Sequence, residues 1–361
     1  TIGRAYDALF AAIEADAALL AFARGKGLNV TTADGLRQYI ESYLLRAGAH
    51  ALIADYIHAN EGGSQRTAAE LALLYDNFTD RRPNSIDLLD YAFFGRSGAC
   101  NLVGCGIYPD GGGHESPFYN TSKFGLISVA QRMEDIRRLH PGCLPVERYP
   151  DIFANPRARA MFDYYVDMTI CDGYLPLFGD TWPGEDRRAQ PPVVLGAGSN
   201  MLFAAGRYED PRFAAACLDG NGGVIGGSLW EAIPEERIRA LAAEIGNRLP
   251  RECRLVDPYG VGILESGDFE RRRAVALNYT NMIGHRQQDA LSIELYARRA
   301  YIVQEPGYPT PFSFRWQWDA HSMAHNTVTV DETQPPMFSY NRPTGGYGIT
   351  VLCVRAPGTG E

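Results

Sequence analysis

The chain has 361 residues, of which 45% are hydrophobic and 21% are charged, enough apolar sequence for more than one hydrophobic core. A formal net charge of −9 excludes the overall positive field on which non-specific nucleic-acid binding relies, so we expect no nucleic-acid partner. No apolar run reaches the length of a membrane span, and a site for an anionic ligand would have to come from a local group of arginines.

The two chain ends and the seven cysteines each support an expectation about this protein. The sequence begins at Thr1 in an amphipathic pattern and ends at Glu361 just after an apolar segment, so we expect a piece of a longer protein. The seven cysteines include no CxxC pair, which does not support a zinc–thiolate site or a thioredoxin-like motif. Cys100 and Cys105 are close enough to pair in an oxidising compartment, but free cysteines are the favoured interpretation.

Apolar residues at helical spacing predict a series of helices up to about residue 250. Thr32 and Asp34 offer caps for one of them. Short loops between helices favour helical hairpins, arranged as a bundle, a solenoid or a ring, and the lack of a fixed-period repeat argues against a regular solenoid. The predicted helices cover residues 5–24, 32–56, 67–78, 86–94, 123–139, 156–170, 199–205, 211–218 and 234–245.

The pattern changes near Cys253 to short β-branched or alternating runs separated by Gly, Pro, Asn and Asp. Helices followed by strands favour an α+β protein over a doubly wound α/β sheet. We therefore predict a helical domain over residues 1–250 and an antiparallel sheet stack or sandwich over 251–361. The predicted strands cover residues 261–264, 274–279, 291–296, 301–303, 327–330 and 349–354.

The first segment with candidate functional residues is glycine-rich. It covers residues 108–119, Tyr-Pro-Asp-Gly-Gly-Gly-His-Glu-Ser-Pro-Phe-Tyr. Its glycines allow a sharp turn or a close approach of the backbone to a ligand, and His114, Glu115 and Tyr119 follow them. The alternative is a loop-to-helix junction that Ser116 caps and in which Tyr119 packs.

Two further polar segments contain histidines next to predicted strands. In residues 284–296, His285 precedes a polar run and an alternating strand, which places it at a sheet edge unless the run is a solvated turn. In residues 324–331, His325 is expected to begin a strand, although a lone histidine there is more often a structural group.

Together these segments resemble the heparinase II/III-like polysaccharide lyases, a group that includes alginate and oligoalginate lyases. The resemblance rests on DGG-x-x-E-S-x-x-Y at 110–119, FGDT at 178–181, GVGILESG at 260–267, GH-x-x-x-D-x-LS-x-x-LYA at 284–297, PGY at 306–308 and AHNTV-x-V-D at 324–331. It implies an incomplete (α/α) toroid followed by an antiparallel β-sandwich, with parts of both missing at the chain ends. It also implies a bacterial, periplasmic or secreted protein whose partner is an acidic polysaccharide or oligosaccharide, with a homodimer as one alternative for its oligomeric state.

The implied chemistry is β-elimination at a uronate. The proton on C5 is weakly acidic because the adjacent carboxylate resists a second negative charge, so the enzyme needs a carboxylate neutraliser, a base and an acid. The resemblance assigns proton transfer to Tyr119 and His285, in roles that the sequence leaves open. Further substrate contacts are predicted for Arg66, His114, Glu115, Asp180 and Arg286.

The segment expected to contain the carboxylate neutraliser departs from the family pattern. Relatives have Asn or His in a GN-[WH]-Q-like segment, whereas Gly63 stands at that point of the present sequence. Asn60 or Gln65 would supply an amide donor and Arg66 a charged one. We favour Gln65, because it is expected in the first turn of a helix.

The resemblance requires no cofactor for the chemistry but leaves a structural divalent metal open. Some relatives bind zinc in the sandwich, and Glu305 and His325 match two of the ligands. Gln287 stands where a second histidine is expected, and an amide is a poor zinc ligand. Calcium, or no metal, is then an equal alternative.

Two other functions compete with the lyase. A non-catalytic carbohydrate-binding protein is favoured by Gly63 and Gln287, and disfavoured by the retention of Tyr119 and His285. A glycoside hydrolase on a helical toroid would use a carboxylate pair such as Glu115 and Asp180.

Overall fold

The computed structural model describes residues 2–74, 82–171, 173–181, 198–219, 235–268, 271–280, 284–308 and 318–333. The chain divides into two compact units. The first unit comprises Thr1–Cys105 and Ser122–Asn155, and the second comprises Gly106–Thr121 and Pro156–Glu361. The predicted boundary near residue 250 follows instead the change from helix to strand, and as a domain boundary it stays a prediction.

The first unit is helical. The predicted helix 5–24 is interrupted at Asp16, whose side chain accepts hydrogen bonds from the backbone N–H of Ala18 (2.8 Å) and Leu19 (3.3 Å) and so caps a new helix. Thr32 caps the next helix as predicted, by accepting from the N–H of Gly35 at 3.0 Å. The elements are α1 (Ile2–Ala15), α2 (Ala17–Gly25), α3 (Ala33–Ile40), a π-helical segment (Glu41–Arg46), α4 (Ala47–Ile53), α5 (Gly63–Leu74), α6 (Ser85–Phe94), α7 (Ala99–Asn101), a second π-helical segment (Leu102–Gly106) and α8 (Gly125–Leu139).

The core of the first unit forms where α5 packs against α6 and α8. Small residues on α5, among them Ala68 and Ala72, are fully buried and let the helices approach closely. Gly125, at the start of α8, is needed for this packing, because a Cβ there would overlap the carbonyl oxygen of Gly62. Leu88 and Leu126 fill the space between the helices and are also fully buried.

The second unit contains four of the described α-helices. They are α9 (Pro156–Met168), α10 (Gly198–Tyr208), α11 (Pro211–Asp219) and α12 (Glu235–Ala243), close to the predicted helices in each case. Phe162 of α9 packs its ring against Phe203, Tyr208 and Phe213, with ring centroids 5.9 to 6.1 Å apart. This aromatic cluster joins α9 to α10 and α11.

The strands of the second unit form one antiparallel sheet in the order β1-β2-β3-β4-β5. Four were predicted within two residues at each end, whereas β1 was missed. Residues 327–330, predicted as a strand, form none, and the predicted strand 349–354 lies outside the described residues. The strands are β1 (Arg254–Val256), β2 (Val261–Ser266), β3 (Arg273–Asn278), β4 (Ile293–Ala297) and β5 (Ala300–Val303).

Alternating burial along the strands places two carboxylates on the inward face of the sheet, Glu265 on β2 and Glu294 on β4. Glu265 pairs with Arg254 of β1 at 2.7 Å and accepts from the backbone N–H of Cys171 at 2.6 Å. Burial raises the pKa of Glu294 to about 8, although its oxygens accept from the N–H groups of Leu177 and Glu305. These bonds attach the loops beside the sheet to its buried face.

In the described ranges, no helix is long and apolar enough to cross a membrane. Cys100 and Cys105 are free thiols, as the sequence favoured.

Candidate active site

The glycine-rich segment is a tight loop that Asp110 holds together. Its Oδ1 accepts from the N–H of Gly112 at 3.0 Å, and its Oδ2 accepts from the N–H of Tyr259 at 2.8 Å. Gly111 has a φ of +88°, and a Cβ there would overlap the carbonyl oxygen of Ala160. A glycine is therefore required at this position, both by its backbone conformation and by the close approach of α9.

The loop fixes the position of Glu115. The backbone carbonyl of Glu115 accepts from the Tyr259 hydroxyl at 2.9 Å and from Nδ2 of Asn120 at 3.0 Å. The residue is 8% exposed, and its carboxylate is directed at His285. The glycine preceding the histidine makes room for it, because a Cβ on Gly284 would overlap the Glu115 carboxylate.

His285 is held in a strained backbone conformation, with a φ of +51°, which a residue other than glycine or asparagine rarely adopts. Its carbonyl accepts from the N–H of Asp180 at 2.8 Å, and the neighbouring Gly284 donates its N–H to the carbonyl of His114 at 2.9 Å. The Nδ1 atom lies 2.5 Å from Oε2 of Glu115. Backbone and ring are therefore both fixed from other segments of the second unit.

The ring of Tyr119 stacks face to face on the imidazole of His285, with ring centroids 3.5 Å apart and an interplanar angle of 2°. Phe118 contacts the edge of the Tyr119 ring at 5.7 Å, and the Tyr308 ring lies 6.2 Å away. The two residues that the sequence predicted for proton transfer are thus in direct contact, and both are partly exposed.

Glu115 determines which nitrogen of His285 can exchange a proton with a ligand. An ionised carboxylate only accepts hydrogen bonds, so Nδ1 is the protonated nitrogen in this pair, as inferred from the network. The other nitrogen, Nε2, remains available to take up or release a proton. A carboxylate-oriented imidazole stacked on a phenol provides two groups that can act on one bound molecule.

The loop that contains His285 is attached to the sheet through Asp289. Its Oδ2 accepts from the N–H of Gly179 at 2.7 Å and from Nδ2 of Asn278 at 3.0 Å. Burial raises the pKa of Asp289 to about 6, and the charge of nearby His325 opposes this rise. Asp289 thus connects the loop to β3 and to the segment before Asp180.

Asp180, predicted as a substrate contact, is fully buried. Its Oδ1 accepts from Nε2 of Gln287 at 2.9 Å, and the same amide donates to the carbonyl of Gly307 at 2.9 Å. In this arrangement Asp180 positions the His285 loop, and its contact with a substrate stays a prediction.

The other predicted contacts in the second unit, His114 and Arg286, are partly exposed. Burial lowers the pKa of the Arg286 guanidinium, and the charge of Asp289 opposes the effect. Arg286 directly follows His285, so it places a half-buried positive charge on the same loop.

The predicted neutralisers belong to the first unit. Gln65 stands in the first turn of α5, as expected, but it is buried, and its Nε2 donates to the carbonyl of Arg96 at 2.7 Å. Asn60 and Arg66 are exposed. The amide of Gln65 is therefore committed within its own unit, and the roles of all three stay predictions.

Two of the predicted metal residues, Glu305 and His325, are in direct contact. Nδ1 of His325 is hydrogen-bonded to Oε2 of Glu305, whereas the buried Nε2 of His325 has no hydrogen-bond partner among the described residues. Burial lowers the pKa of His325, but the Glu305 hydrogen bond and the Asp289 charge outweigh it and the pKa is raised. Across the described ranges, no group of three or more His, Cys, Asp and Glu has a metal-holding arrangement. A divalent cation stays a prediction.

The sequence did not indicate the contributions of Gly284, Tyr259 and Tyr308. Gly284 makes room for a carboxylate 169 positions earlier in the chain, and Tyr259 fixes the carbonyl of the same residue. The PGY motif was the one available signal for Tyr308, whose N–H donates to the carbonyl of Thr181 at 2.8 Å.

The fold is similar to that of solved polysaccharide lyases. A heparinase III structure matches with a TM-score of 0.55 and 17% identity, over 83% of this chain and 43% of its own length. A second heparinase III gives 0.51 and 15%, over 83% and 41%. A mutant heparan sulfate lyase from Pedobacter heparinus gives 0.50 and 16%, over 83% and 41%. The chain thus spans about two fifths of the length of these proteins.

The family comparison is more specific. Residues 273–350 match the model of the heparinase II/III-like C-terminal domain, so this part of the chain is similar to that domain. The resemblance predicted from the motifs is therefore confirmed. No curated protein matches the chain.

Proposed function

We propose that this protein is a polysaccharide lyase that cleaves a uronate-containing polysaccharide by β-elimination. The observation that carries the proposal is the contact of Tyr119 with His285, whose orientation Glu115 fixes at 2.5 Å. β-Elimination needs one group to remove the C5 proton and one to protonate the leaving O4. A phenol and an imidazole in ring contact meet this need.

The tautomer set by Glu115 makes Nε2 the atom through which His285 transfers a proton. With Nδ1 bonded to the carboxylate, Nε2 accepts a proton when the ring is neutral and donates one when the ring is charged. In the first case His285 removes the C5 proton and the Tyr119 hydroxyl protonates O4. In the second case the two exchange roles, with Tyr119 reacting as a phenolate stabilised by the imidazolium.

The substrate carboxylate must be neutralised for either route. Arg286 supports this step within the second unit, since a partly buried guanidinium binds a planar carboxylate through two parallel hydrogen bonds. Gln65 remains the proposed amide donor, with Asn60 as the alternative and Arg66 as a further contact. If Gln65 takes part, its hydrogen bond to the Arg96 carbonyl must be exchanged for one to the substrate.

The finer features of the proposal follow the same resemblance. The helices would belong to an incomplete (α/α) toroid and the sheet to a β-sandwich. The substrate would be a glycosaminoglycan such as heparin or heparan sulfate, or alginate, and the protein would be secreted or periplasmic. A heparinase III is the solved structure with the highest TM-score of those compared above, which favours the glycosaminoglycan.

The hydrolase alternative is less well supported. Its carboxylate pair, Glu115 and Asp180, is committed elsewhere, because Glu115 is bonded to His285 and fully buried Asp180 accepts from Gln287. A hydrolase needs both carboxyl groups to flank the scissile bond. The non-catalytic alternative has no observation in its favour beyond Gly63 and Gln287.

The test is a substrate screen with the full-length protein on heparin, heparan sulfate, hyaluronan, chondroitin sulfate, alginate and glucuronan. Each digest is followed by ultraviolet absorbance, which reports the double bond of an unsaturated uronate, and by a reducing-end assay. Elimination predicts that both signals rise together on at least one polymer. New reducing ends without absorbance would indicate hydrolysis, and binding without either signal would indicate a non-catalytic protein; either result overturns the proposal.

A further inference from the structure

A second candidate binding site lies on the sheet. A cavity of about 650 Å³ is lined by Ala297 and five arginines, Arg271, Arg272, Arg273, Arg298 and Arg299. Among the described residues, these arginines and one small alanine make up its lining. We call it the arginine groove. In a chain with a net charge of −9, such a concentration of positive charge is a local feature that the overall composition does not produce.

The register of the sheet builds the groove from two segments. Arg273 begins β3 and pairs with Ala297 at the end of β4, so residues 271–273 lie beside the turn that leaves β4. Ala297 in turn pairs with Ala300 of β5, which leaves Arg298 and Arg299 as a two-residue turn. Within the groove Arg272 is anchored, because its Nη1 donates to the carbonyl of Cys171 at 3.0 Å.

The turn residues are unusual for their backbone conformation. Arg298 has a φ of +53° and Arg299 a φ of +61°, the combination of a type I′ turn. Such turns favour Asn-Gly, and a residue with a Cβ is disfavoured at each left-handed position because the Cβ lies too close to the following carbonyl oxygen. Two arginines here add strain rather than stability, which is typical of positions with a binding role.

Four of the five arginines in the groove form no ion pair within the part of the chain that the structure describes; they are Arg271, Arg273, Arg298 and Arg299. Arginines elsewhere in the same unit are paired, as Arg254 is with Glu265. Four guanidinium groups around one cavity repel each other, and a bound polyanion would relieve that repulsion.

The arginine groove is distinct from the Tyr119–His285 site. Arg273 and Asn278 mark the two ends of β3, which are about 17 Å apart at about 3.4 Å per residue. The His285 loop is attached at the Asn278 end, where Nδ2 of Asn278 donates to the carbonyl of Asp289 at 3.0 Å. The groove lies at the Arg273 end.

We propose that the arginine groove binds the sulfate or carboxylate groups of an acidic polysaccharide, as a second site separate from the site of cleavage. Guanidinium groups form paired hydrogen bonds to both kinds of anion. Single-stranded nucleic acid is disfavoured, because its sites combine positive charge with aromatic faces for stacking, and none of the described residues that line the groove is aromatic. The choice of a polysaccharide over other polyanions rests on the proposed lyase function, whereas the anion site itself does not.

The test is direct binding by isothermal titration calorimetry in the Tyr119→Phe background, which prevents cleavage from confusing the measurement. The probes are a size-defined heparin oligosaccharide, an alginate oligosaccharide, and a single-stranded DNA oligonucleotide of equal charge. The key variant is Arg298→Asn/Arg299→Gly, which replaces the arginines with the residues that a type I′ turn prefers. It should unfold at the same temperature as its parent or a higher one, so lost binding cannot result from misfolding.

The matched control is Arg237→Gln/Arg239→Gln on α12, which changes the net charge by the same amount outside the groove. We expect the turn variant to weaken oligosaccharide binding at one site by about tenfold or more, since a hydrogen bond to a charged group is worth about 1.5–3 kcal/mol. The control should bind like the parent. The inference is overturned if the turn variant binds like its parent, if the control weakens binding equally, or if the DNA probe binds as tightly as both oligosaccharides.

These outcomes are independent of the proposed function. A wild-type protein that produces no unsaturated uronate but loses oligosaccharide binding in the turn variant would disprove the lyase and keep the groove. If instead the wild-type protein cleaves by elimination and the turn variant binds the oligosaccharide as tightly as its parent, the arginine groove is disproved and the lyase function is kept.

Discussion

The hydrogen bond between Glu115 and His285 gives the most specific prediction. The Glu115→Gln substitution keeps the shape of the side chain, but its amide can donate to Nδ1 and so favour the tautomer with the proton on Nε2. The lost interaction is a 2.5 Å contact to the carboxylate of a buried glutamate, so solvent screens it little. A hydrogen bond of this charged type contributes about 1.5–3 kcal/mol, which predicts a fall in kcat of about 10- to 150-fold.

The assay is the initial rate of ultraviolet absorbance on the polymer that gives the strongest signal, with kcat and KM determined separately. Asp163→Asn on α9 is the control, because it removes a carboxylate paired with Arg212 at 2.5 Å in the same unit. We expect a loss in kcat for Glu115→Gln with an unchanged unfolding temperature, and no loss in kcat for the control. Equal kcat values for Glu115→Gln and the wild type would refute the role of Glu115 in orienting His285.

Two glycine substitutions test the geometry around this pair. Gly284→Ala should push the flexible Glu115 carboxylate off His285, so activity should fall with little change in unfolding temperature; an active Gly284→Ala enzyme would contradict the observed packing. Gly111→Ala should destabilise by about 3 kcal/mol in denaturant unfolding, because the new methyl meets the rigid carbonyl of Ala160. Gly173→Ala, at a φ of +101° where the added Cβ would meet no other described atom within 4 Å, should cost only the backbone strain of about 1 kcal/mol, and equal losses for the two would argue against the steric explanation.

The sequence predicted regular elements well where periodicity and a local signal agreed. Thr32 was identified as a cap because its type and its position before an apolar pattern both indicated one. Asp16 gave the same local signal, but the apolar spacing continues through it, and the periodicity hid the break between α1 and α2. Residues 327–330 alternate like a strand but form none, because alternation does not ensure a pairing partner.

The sequence predicted which residues belong to the candidate site better than it predicted how they are arranged. Tyr119 and His285 were chosen from motifs 166 positions apart, and the structure brings their rings into contact. The substrate contact expected of Glu115 stays a prediction, whereas its hydrogen bond to His285 is revealed only by the three-dimensional path of the loop. Gln65 was expected to project from its helix, but its partner is a carbonyl 31 positions away that no local pattern indicates.

The arginine groove could not be predicted from the sequence. An excess of arginine over lysine was visible in the sequence, but a biased composition alone could explain it. Only the register of β3 against β4, and of β4 against β5, brings residues 271–273 together with residues 298 and 299. Strand pairing over this separation is not encoded in any local motif.

The hydroxyl of Tyr119 tests the central claim most directly. The Tyr119→Phe substitution keeps the aromatic ring that stacks on His285 and removes only the group proposed to transfer a proton. Proton transfer by a positioned side chain contributes about 10²- to 10⁴-fold to a rate, so unsaturated product should fall by at least about 100-fold in the ultraviolet assay. The unfolding temperature should remain that of the wild type. A folded Tyr119→Phe protein that forms unsaturated uronate at the wild-type rate would contradict the account.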